Sequence, residues 1–431
     1  MRSGTLAAPL ARLIKLQPWE VPALGAAFAY NFLLFTAYYI LRPLRDSMGI
    51  AGGVRSLDNL FWFTFLTMLA AMPLFGWLCG RYRRAVFLPW TYGFFILNLL
   101  AFWVVFRVQA DDVWTARVFF VWVSVFNLFV VSVFWSFMAD LFDREQAKRM
   151  FAFIAGGAST GAITGSGTTA LLATALGDVN LLLVSATLLG TTLLPMRYLM
   201  RWSAGRSRSG AMGEGRPIGG NPFAGALLVG RSGYLAGIGV FVFLLVTVST
   251  FLYLQQAELL ASFYPDGSER TAFLGRIDLV VNLLAVVLQL LAVGRLTARF
   301  GVAVMLPSIP LMMVAGFVLL AVQPALVTLV AVLIARRAGE YAVTRPCREM
   351  LFTTVDRETK YKAKNFIDTV VYRGGDAISA SAHDAVIRAF ALGLSGIAWL
   401  GAAVAAAWVL VSVALGRRHE AMRPPAESPG G

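Results

Sequence analysis

From Val21 to Leu415 the chain is a succession of apolar runs broken by short polar stretches. Each run has about the 20 residues an α-helix needs to cross the hydrocarbon core of a bilayer. The pattern predicts twelve spans, at 21–41, 58–80, 85–106, 113–138, 150–176, 179–200, 234–257, 276–298, 302–322, 325–347, 364–388 and 393–415. The eleventh is the least apolar and rests partly on an internal repeat described below. Met1 to Pro18 does not read as a signal peptide, because Arg12 and Lys15 interrupt its apolar residues and no small-residue cleavage site follows. Leu6, Leu10, Leu13 and Ile14 are spaced to form one face of a short interfacial helix.

Composition agrees with the spans. Of the 431 residues 58% are apolar and only 14% charged, whereas a soluble domain carries about 25% charge. Too few polar groups are present to cover the surface of such a chain, which excludes disorder, a disulfide scaffold and an ordinary soluble enzyme. Cys79 and Cys347 are the only cysteines, and His383 and His419 the only histidines. Zinc, haem and Cys-His catalysis thus have almost no ligands to draw on, and no catalytic residue, metal or cofactor is expected.

The net charge of +14 would suggest nucleic acid in a soluble protein. Here it follows topology instead. With the N-terminus inside, and residues near the span ends counted with the adjoining loops, 26 of the 37 Lys and Arg fall on the cytoplasmic side, 8 outside, and 3 (Arg336, Arg337 and Arg373) within spans. That asymmetry places both termini in the cytoplasm of a multi-pass, bacterial-type inner membrane protein. No nucleic-acid partner is expected.

Residues 201–222, RWSAGRSRSGAMGEGRPIGGNP, carry Gly, Ser and Arg with no apolar period and read as a flexible linker. The expected organisation is an N-terminal segment (1–20), a six-helix half (21–200), a linker (201–233), a second six-helix half (234–415) and a tail (416–431). The halves repeat. Gly76, Leu78, Arg81 and Tyr82 follow span 2 in the spacing G-x-L-x-x-R-aromatic, and Gly294, Leu296, Arg299 and Phe300 follow span 8, an offset of 218. Asp143-Arg144-Glu145 with Lys148 is matched by Asp356-Arg357-Glu358 with Lys360, an offset of 213. Two six-helix halves related about the membrane normal describe the major facilitator architecture. The fold expected is therefore an all-α membrane protein with twelve transmembrane helices in a 6+6 pseudo-symmetric bundle. G-x-L-x-x-R resembles a degenerate form of that superfamily's loop 2–3 motif, with Gly80 and Ala298 where an acidic residue is usual. These basic loops serve as topology signals, as gating elements, or as both.

Ionisable residues inside a span are costly and therefore candidates for function. Asn31, Phe35, Tyr38, Arg42 and Arg45 share one face of span 1, with Asp46 next. That stripe reads either as an anion path or, for its arginines, as snorkelling to headgroups. Span 10 carries Arg336, Arg337 and Glu340. Arg336 and Glu340 are i,i+4 partners, while Arg337 has no acidic residue at i±4 and suits a carboxylate or phosphate ligand. Span 11 aligns Asp368, Tyr372, Gly375, Asp376, Ser379 and His383 on one stripe with Arg373 beside it. Such a stripe must line a cavity or a helix interface. Span 8 adds Asp278, Asn282 and Gln289, and span 7 adds Gln255, Gln256 and Glu258. Gly157, Gly161 and Gly165 form a double G-x-x-x-G expected at a close helix contact. No phosphate-binding Gly-Lys-Ser/Thr follows it, so transport driven by a gradient or by exchange is expected rather than by ATP hydrolysis.

Several segments resemble the ATP/ADP carrier (nucleotide exchange) family of plastids and intracellular bacteria. Ile40-Leu41-Arg42 followed by Arg45-Asp46 is similar to its helix 1 signature, and Phe134-Trp135 with Ala147-Lys148-Arg149 to its helix 4–5 region. The longest match runs from Cys347-Arg348-Glu349-Met350 through Asp356, Thr359-Lys360, Lys362 and Lys364 to Ile367-Asp368 and Val370-Val371. The resemblance implies nucleotide exchange, with Arg45 at a position implicated in nucleotide binding. Pro43 replaces a usual Asp, and Asp376 stands where the family carries a functional Lys; Arg373 lies three residues earlier.

The leading expectation is a carrier of the major facilitator type that moves an anionic solute, a nucleotide or phosphorylated metabolite, by alternating access. Arg42, Arg45, Arg336, Arg337 and Arg373 are expected at the substrate with Tyr38 and Asn31. Asp46, Asp278, Glu340, Asp368 and Asp376 are expected as gating pairs or proton-coupling groups. Those five arginines and five carboxylates cancel, so a proton-coupled carrier of a cationic or neutral solute stays open. A membrane-embedded transferase is a third reading. The partners expected are the anionic substrate and the lipid bilayer, with the chain a monomer or weak oligomer.

Overall fold

The computed structural model describes residues 17–82, 84–109, 112–206 and 225–422. The interfacial face at Leu6 to Ile14, most of the linker and the end of the tail lie outside the described residues. Helix is the only regular structure among the described residues. In chain order the helices are α1 (Val21–Ala51), α2 (Leu57–Arg81), α3 (Arg84–Val108), α4 (Val113–Leu141), α5 (Arg144–Leu176), α6 (Leu181–Thr191), α7 (Leu193–Arg206) and α8 (Ala226–Arg231). There follow α9 (Gly233–Phe263), α10 (Gly267–Leu288), α11 (Gly294–Val322), α12 (Leu326–Gly339), α13 (Arg345–Leu351), α14 (Arg357–Phe366), α15 (Tyr372–Phe390) and α16 (Leu394–Ala421).

Nine stretches among the described residues are long and apolar enough to cross a membrane. The expected spans at 150–176, 325–347 and 364–388 are helical but fall outside that number, so the expectation of twelve exceeds what length and apolarity support. The cause is chemical. Helix α5 is diluted by Gly, Ser and Thr, and the other two carry the ionisable residues. The turn expected between spans 8 and 9 is a single residue: α11 is broken at Gly301, whose φ of 73° is open to glycine and strained for other residues.

The chain divides into two compact units. The first comprises Met1–Gly52, Ala70–Gly219 and Asp266–Leu279; the second comprises Gly53–Leu69, Gly220–Pro265 and Val280–Gly431. Helices α2 and α10 therefore each contribute residues to both.

In the first unit α1 lies along α5. The glycine stripe is the contact: a methyl group at Gly157 would sit 2.7 Å from the Phe28 carbonyl oxygen, and one at Gly165 2.9 Å from Tyr39 Cβ. Small residues let two helix backbones approach where a larger side chain would hold them apart. The core alongside is aromatic: Tyr30, Tyr92 and Phe134 are fully buried, and the Tyr30 hydroxyl donates to that of Tyr92 at 2.7 Å. The core of the second unit includes the buried Phe241, Phe317 and Trp408. Trp62 and Phe61 of α2 also belong here, through a hydrogen bond from Trp62 Nε1 to Ser381 (2.8 Å) and an edge contact of Phe61 with Tyr253.

The repeated Asp-Arg-Glu motif has a local cause. Asp143 accepts from the Gln146 backbone N–H at 2.8 Å, and Asp356 from that of Thr359 at 3.0 Å. Both aspartates cap a helix N-terminus, satisfying a donor that would otherwise be orphaned. Gln146 completes a capping box with Asp143 and also donates to the buried Glu20 at 2.9 Å. Arg149 donates to both oxygens of Glu20 (3.2 and 3.3 Å), tying the start of α1 to the start of α5.

Two outcomes follow for stability. Gly157→Ala should destabilise the purified protein by about 1–3 kcal/mol through overpacking, while Gly156→Ala, whose methyl group would lie 3.8 Å from its nearest neighbour, should be neutral; thermal unfolding in detergent reads both. Burial acts to raise the Glu20 pKa, but hydrogen bonds from Gln17, Gln146 and Arg149 outweigh it and hold the carboxyl below its ordinary 4.5. A lowered folded pKa contributes stability that is complete above the unfolded value and lost as pH falls through the folded one. The stability gap between the native protein and Glu20→Gln should accordingly shrink from pH 7 to pH 4 and vanish below the folded pKa.

Candidate functional site

In the first unit, helix α1 places five of the expected residues, Asn31, Tyr38, Arg42, Arg45 and Asp46. Asn31 is fully buried and donates to the Ile154 carbonyl at 2.8 Å, joining α1 to α5. Tyr38 packs edge-on to Tyr39 with centroids 5.4 Å apart. Arg42 lies over the Tyr39 ring and 3.8 Å from the Asp278 carboxylate of α10. Arg45 donates twice to its neighbour Asp46 (3.0 and 2.6 Å) and reaches Ser124 at 3.5 Å and the Phe120 face. Close by, the buried Arg270 donates to Ser47 at 3.0 Å. Arg42, Arg45, Asp46 and Asp278 form a charge-balanced set.

The second unit holds the denser cluster. Helices α12 and α13 are one continuous run joined by the π turn Glu340–Thr344, and α14 and α15 by the π turn Ile367–Val371. A third π turn, Gln289–Val293, follows α10. Such turns recur at functional sites because they misalign backbone hydrogen bonds and re-aim side chains. Here Gln289 donates its amide to the Tyr341 carbonyl at 2.9 Å, linking the turn Gln289–Val293 to the turn Glu340–Thr344.

Around these turns the ionisable side chains interlock. Glu340 is buried and accepts from Arg336 at 2.9 Å, as the i,i+4 spacing implies. It also accepts from Arg345 at 3.4 Å. Arg345 is five residues on, so the π turn rather than an α turn brings it round. Arg345 stacks on Tyr341 with its guanidinium 4.5 Å from the ring centre. Arg348 pairs with Asp368 at 3.3 Å, and Lys364 with Glu349 at 2.6 Å. Arg373 pairs with Asp376 at 3.5 Å, and Asp376 also accepts from Thr250 of α9 at 3.2 Å. Arg336 donates in addition to Ser249, and Arg337 is buried beside it. Further along the same stripe Ser379 shares a hydrogen bond with Thr247 (2.8 Å), and His383 packs edge-on to Phe251.

Half of the expected site residues thus fall in each unit. Sequence reasoning did not place Arg345, Arg348, Ser249 and Thr250 in the site. The signal for Arg345 is its i+5 offset from Glu340, visible only once a π turn is considered. Arg348 stands in the Cys347-Arg348-Glu349 match. Among the described residues no group of three or more His, Cys, Asp and Glu is arranged to hold a metal.

No protein-family model matches the chain, and no curated protein sequence does. Solved structures do. A mutant of the nucleoside transporter NupG aligns with 93% of this chain and 100% of its own at 13% identity and a TM-score of 0.63. A bacterial homologue of the iron transporter ferroportin, inward-facing, covers 96% and 100% at 11% identity and 0.60. An auto-inhibited POT family peptide transporter covers 95% and 98% at 16% identity and 0.60. At these identities the likeness defines the fold: an all-α bundle of the major facilitator type.

Removing one member of a buried pair leaves an uncompensated charge, at a cost of about 3–5 kcal/mol. Glu340→Gln should therefore lower thermal stability by that order, and the double variant Arg336→Met, Glu340→Leu should recover most of the loss. A double variant as unstable as the single one would mean that Glu340 compensates chiefly another arginine.

Proposed function

We propose that the chain is a secondary transporter working by alternating access and that its substrate is an anionic solute, a nucleotide or phosphorylated metabolite. The observation that supports this most is the cluster of the second unit, where Arg336, Arg337, Arg345, Arg348 and Arg373 outnumber Glu340, Asp368 and Asp376. A guanidinium offers a fixed fork of donors to phosphate or carboxylate oxygens and stays charged at any relevant pH. The matched structures are of a nucleoside transporter, a bacterial homologue of an iron transporter and a peptide transporter, which favours solute transport and leaves the solute to the site. The resemblance in helix 1 and around Cys347 to Asp368 supports exchange of nucleotides of the ATP/ADP type. The lysine and arginine distribution supports an inner-membrane protein with both termini cytoplasmic.

A proton-coupled carrier of a cationic or neutral solute is the second reading. The balanced set Arg42, Arg45, Asp46 and Asp278 favours it, since a carboxylate released from such a pair can take up a proton.

Uptake into proteoliposomes loaded with candidate counter-substrates separates the two. Labelled ATP, ADP and sugar phosphates should exchange without a pH gradient; uptake of a cation driven by a pH gradient, with no exchange of any phosphorylated compound, would overturn the anion reading. Arg337→Ala should weaken binding of the exchanged anion by roughly 10- to 100-fold, the loss of one charge-assisted hydrogen bond at about 1.5–3 kcal/mol.

A further inference from the structure

The seam between α9 and α15 holds polar groups that the charge cluster leaves unused. On α15, Asp376, Ser379 and His383 follow one another at steps of three and four and so share one helix face. Each meets a residue of α9. Asp376 accepts from Thr250 at 3.2 Å. Ser379 shares a hydrogen bond with Thr247 at 2.8 Å in which either hydroxyl can donate. His383 packs edge-on to Phe251 with ring centres 5.2 Å apart. His383 is only 5% exposed, and among the described residues its Nε2 has no hydrogen-bond partner. One turn beyond Phe251, Gln255 is 2% exposed, and neither its amide nitrogen nor its oxygen has one.

Unpaired polar atoms are costly to bury, and an apolar side chain would fill either place without that cost. A group that gains and loses a proton in turn explains why an imidazole stands there instead. Imidazole takes a proton on one ring nitrogen, releases one from the other, and titrates nearer neutrality than any other side chain. A hydroxyl passes a proton by accepting one while donating its own. Successive positions on the face lie about one turn, roughly 5.4 Å, apart, a gap that one bridging water spans.

We propose that this seam is a proton path between the Phe390 end of α15 and Asp376, and that the solute moves together with a proton. The proton passes from His383 through the Ser379 and Thr247 hydroxyls to the Asp376 carboxylate. Neutral Asp376 no longer balances Arg373, with which it pairs at 3.5 Å, and the guanidinium turns to the anion. When the anion leaves, Asp376 gives up its proton and the pair re-forms, so Arg373 always has a negative partner. The inference rests on the reading of the chain as an anion transporter and adds its coupling.

The charged and titratable groups around the path are few. Helix α15 carries Tyr372, Arg373 and Asp376 at one end, next to the π turn whose Asp368 pairs with Arg348. At its other end Asp384 and Arg388 pair at 2.8 Å, and their side chains, 29% and 71% exposed, mark where the path opens. Helix α9, packed against α15, carries no acidic or basic residue except the exposed Glu258. Helix α2, joined to α15 through Trp62 and Ser381, adds Asp58 one turn from Trp62.

The test uses proteoliposomes carrying the full chain, labelled ADP and a labelled hexose 6-phosphate as probes, and a pH-sensitive dye trapped inside. With the native protein, uptake of the transported probe should acidify the lumen, and an acid-outside gradient should raise net uptake at least fivefold. Exchange against the same probe inside, at equal pH, needs no net proton movement and reads substrate handling alone. His383→Gln keeps a hydrogen-bonding side chain that does not titrate. It should abolish the acidification and the response to the gradient, with exchange within twofold of native. Ser379→Ala interrupts the path without touching the imidazole and should do the same; gel filtration confirms folding, and either variant suffices. A merely structural role would lower exchange and net uptake together, and that result in both variants would overturn the inference. Exchange by the native protein without acidification would overturn it too, as would a full gradient response in the folded variants. Each of these leaves anion transport intact, whereas no exchange of either probe would overturn the anion reading and this inference with it.

Discussion

The architecture turns on the cost of placing charge where water cannot reach it. A buried guanidinium or carboxylate is tolerated only with a partner at hydrogen-bonding distance, and the second unit meets that demand by interlocking its charged groups. Glu340 serves two arginines, Asp368 and Asp376 serve one each, and on α9 Ser249 accepts from Arg336 while Thr250 donates to Asp376. Regular α-helix would not put all these side chains on the required side. The π turns are the backbone's accommodation to the charge pattern, and they fall at Glu340 and immediately around Asp368.

The first unit answers a different constraint. Its α1–α5 contact is governed by volume rather than by charge, because Gly157, Gly161 and Gly165 leave no room for side chains. Asn31 then closes the same seam by a hydrogen bond to a backbone carbonyl. The first unit thus has a close-packed helix seam and the second a charged helix pair.

Much of this was legible in the sequence, for identifiable reasons. Apolar runs report helices directly, since length and composition decide membrane compatibility. The glycine stripe was readable as packing because spacing of four sets one helix face. The Arg336–Glu340 pair followed from α periodicity, and the nearness of Arg373 to Asp376 from a spacing of three. What escaped notice depends on departures from periodicity or on distant chain segments. Arg345 reaches Glu340 only through a π turn, and Arg42 meets Asp278 across more than half the chain. The repeated Asp-Arg-Glu signature was recognisable as a repeat, but its physical basis, helix capping by Asp143 and Asp356, needed backbone geometry. The division of α2 and α10 between units has no sequence signal, because it is a property of tertiary packing alone.

A π turn is in effect one residue inserted into an α-helix. Deleting that residue would restore regular hydrogen bonding and rotate everything beyond it by about 100°. In α13 this would carry Arg345 and Arg348 off their carboxylates; in α15 it would swing Arg373 and Asp376 away from α9. The helices bearing the charge cluster are thus fixed in length to the single residue. A drifting homologue can lengthen its linker and tail, but insertions and deletions in these two helices would be purged, so the π turns should serve as alignment anchors when distant relatives are compared.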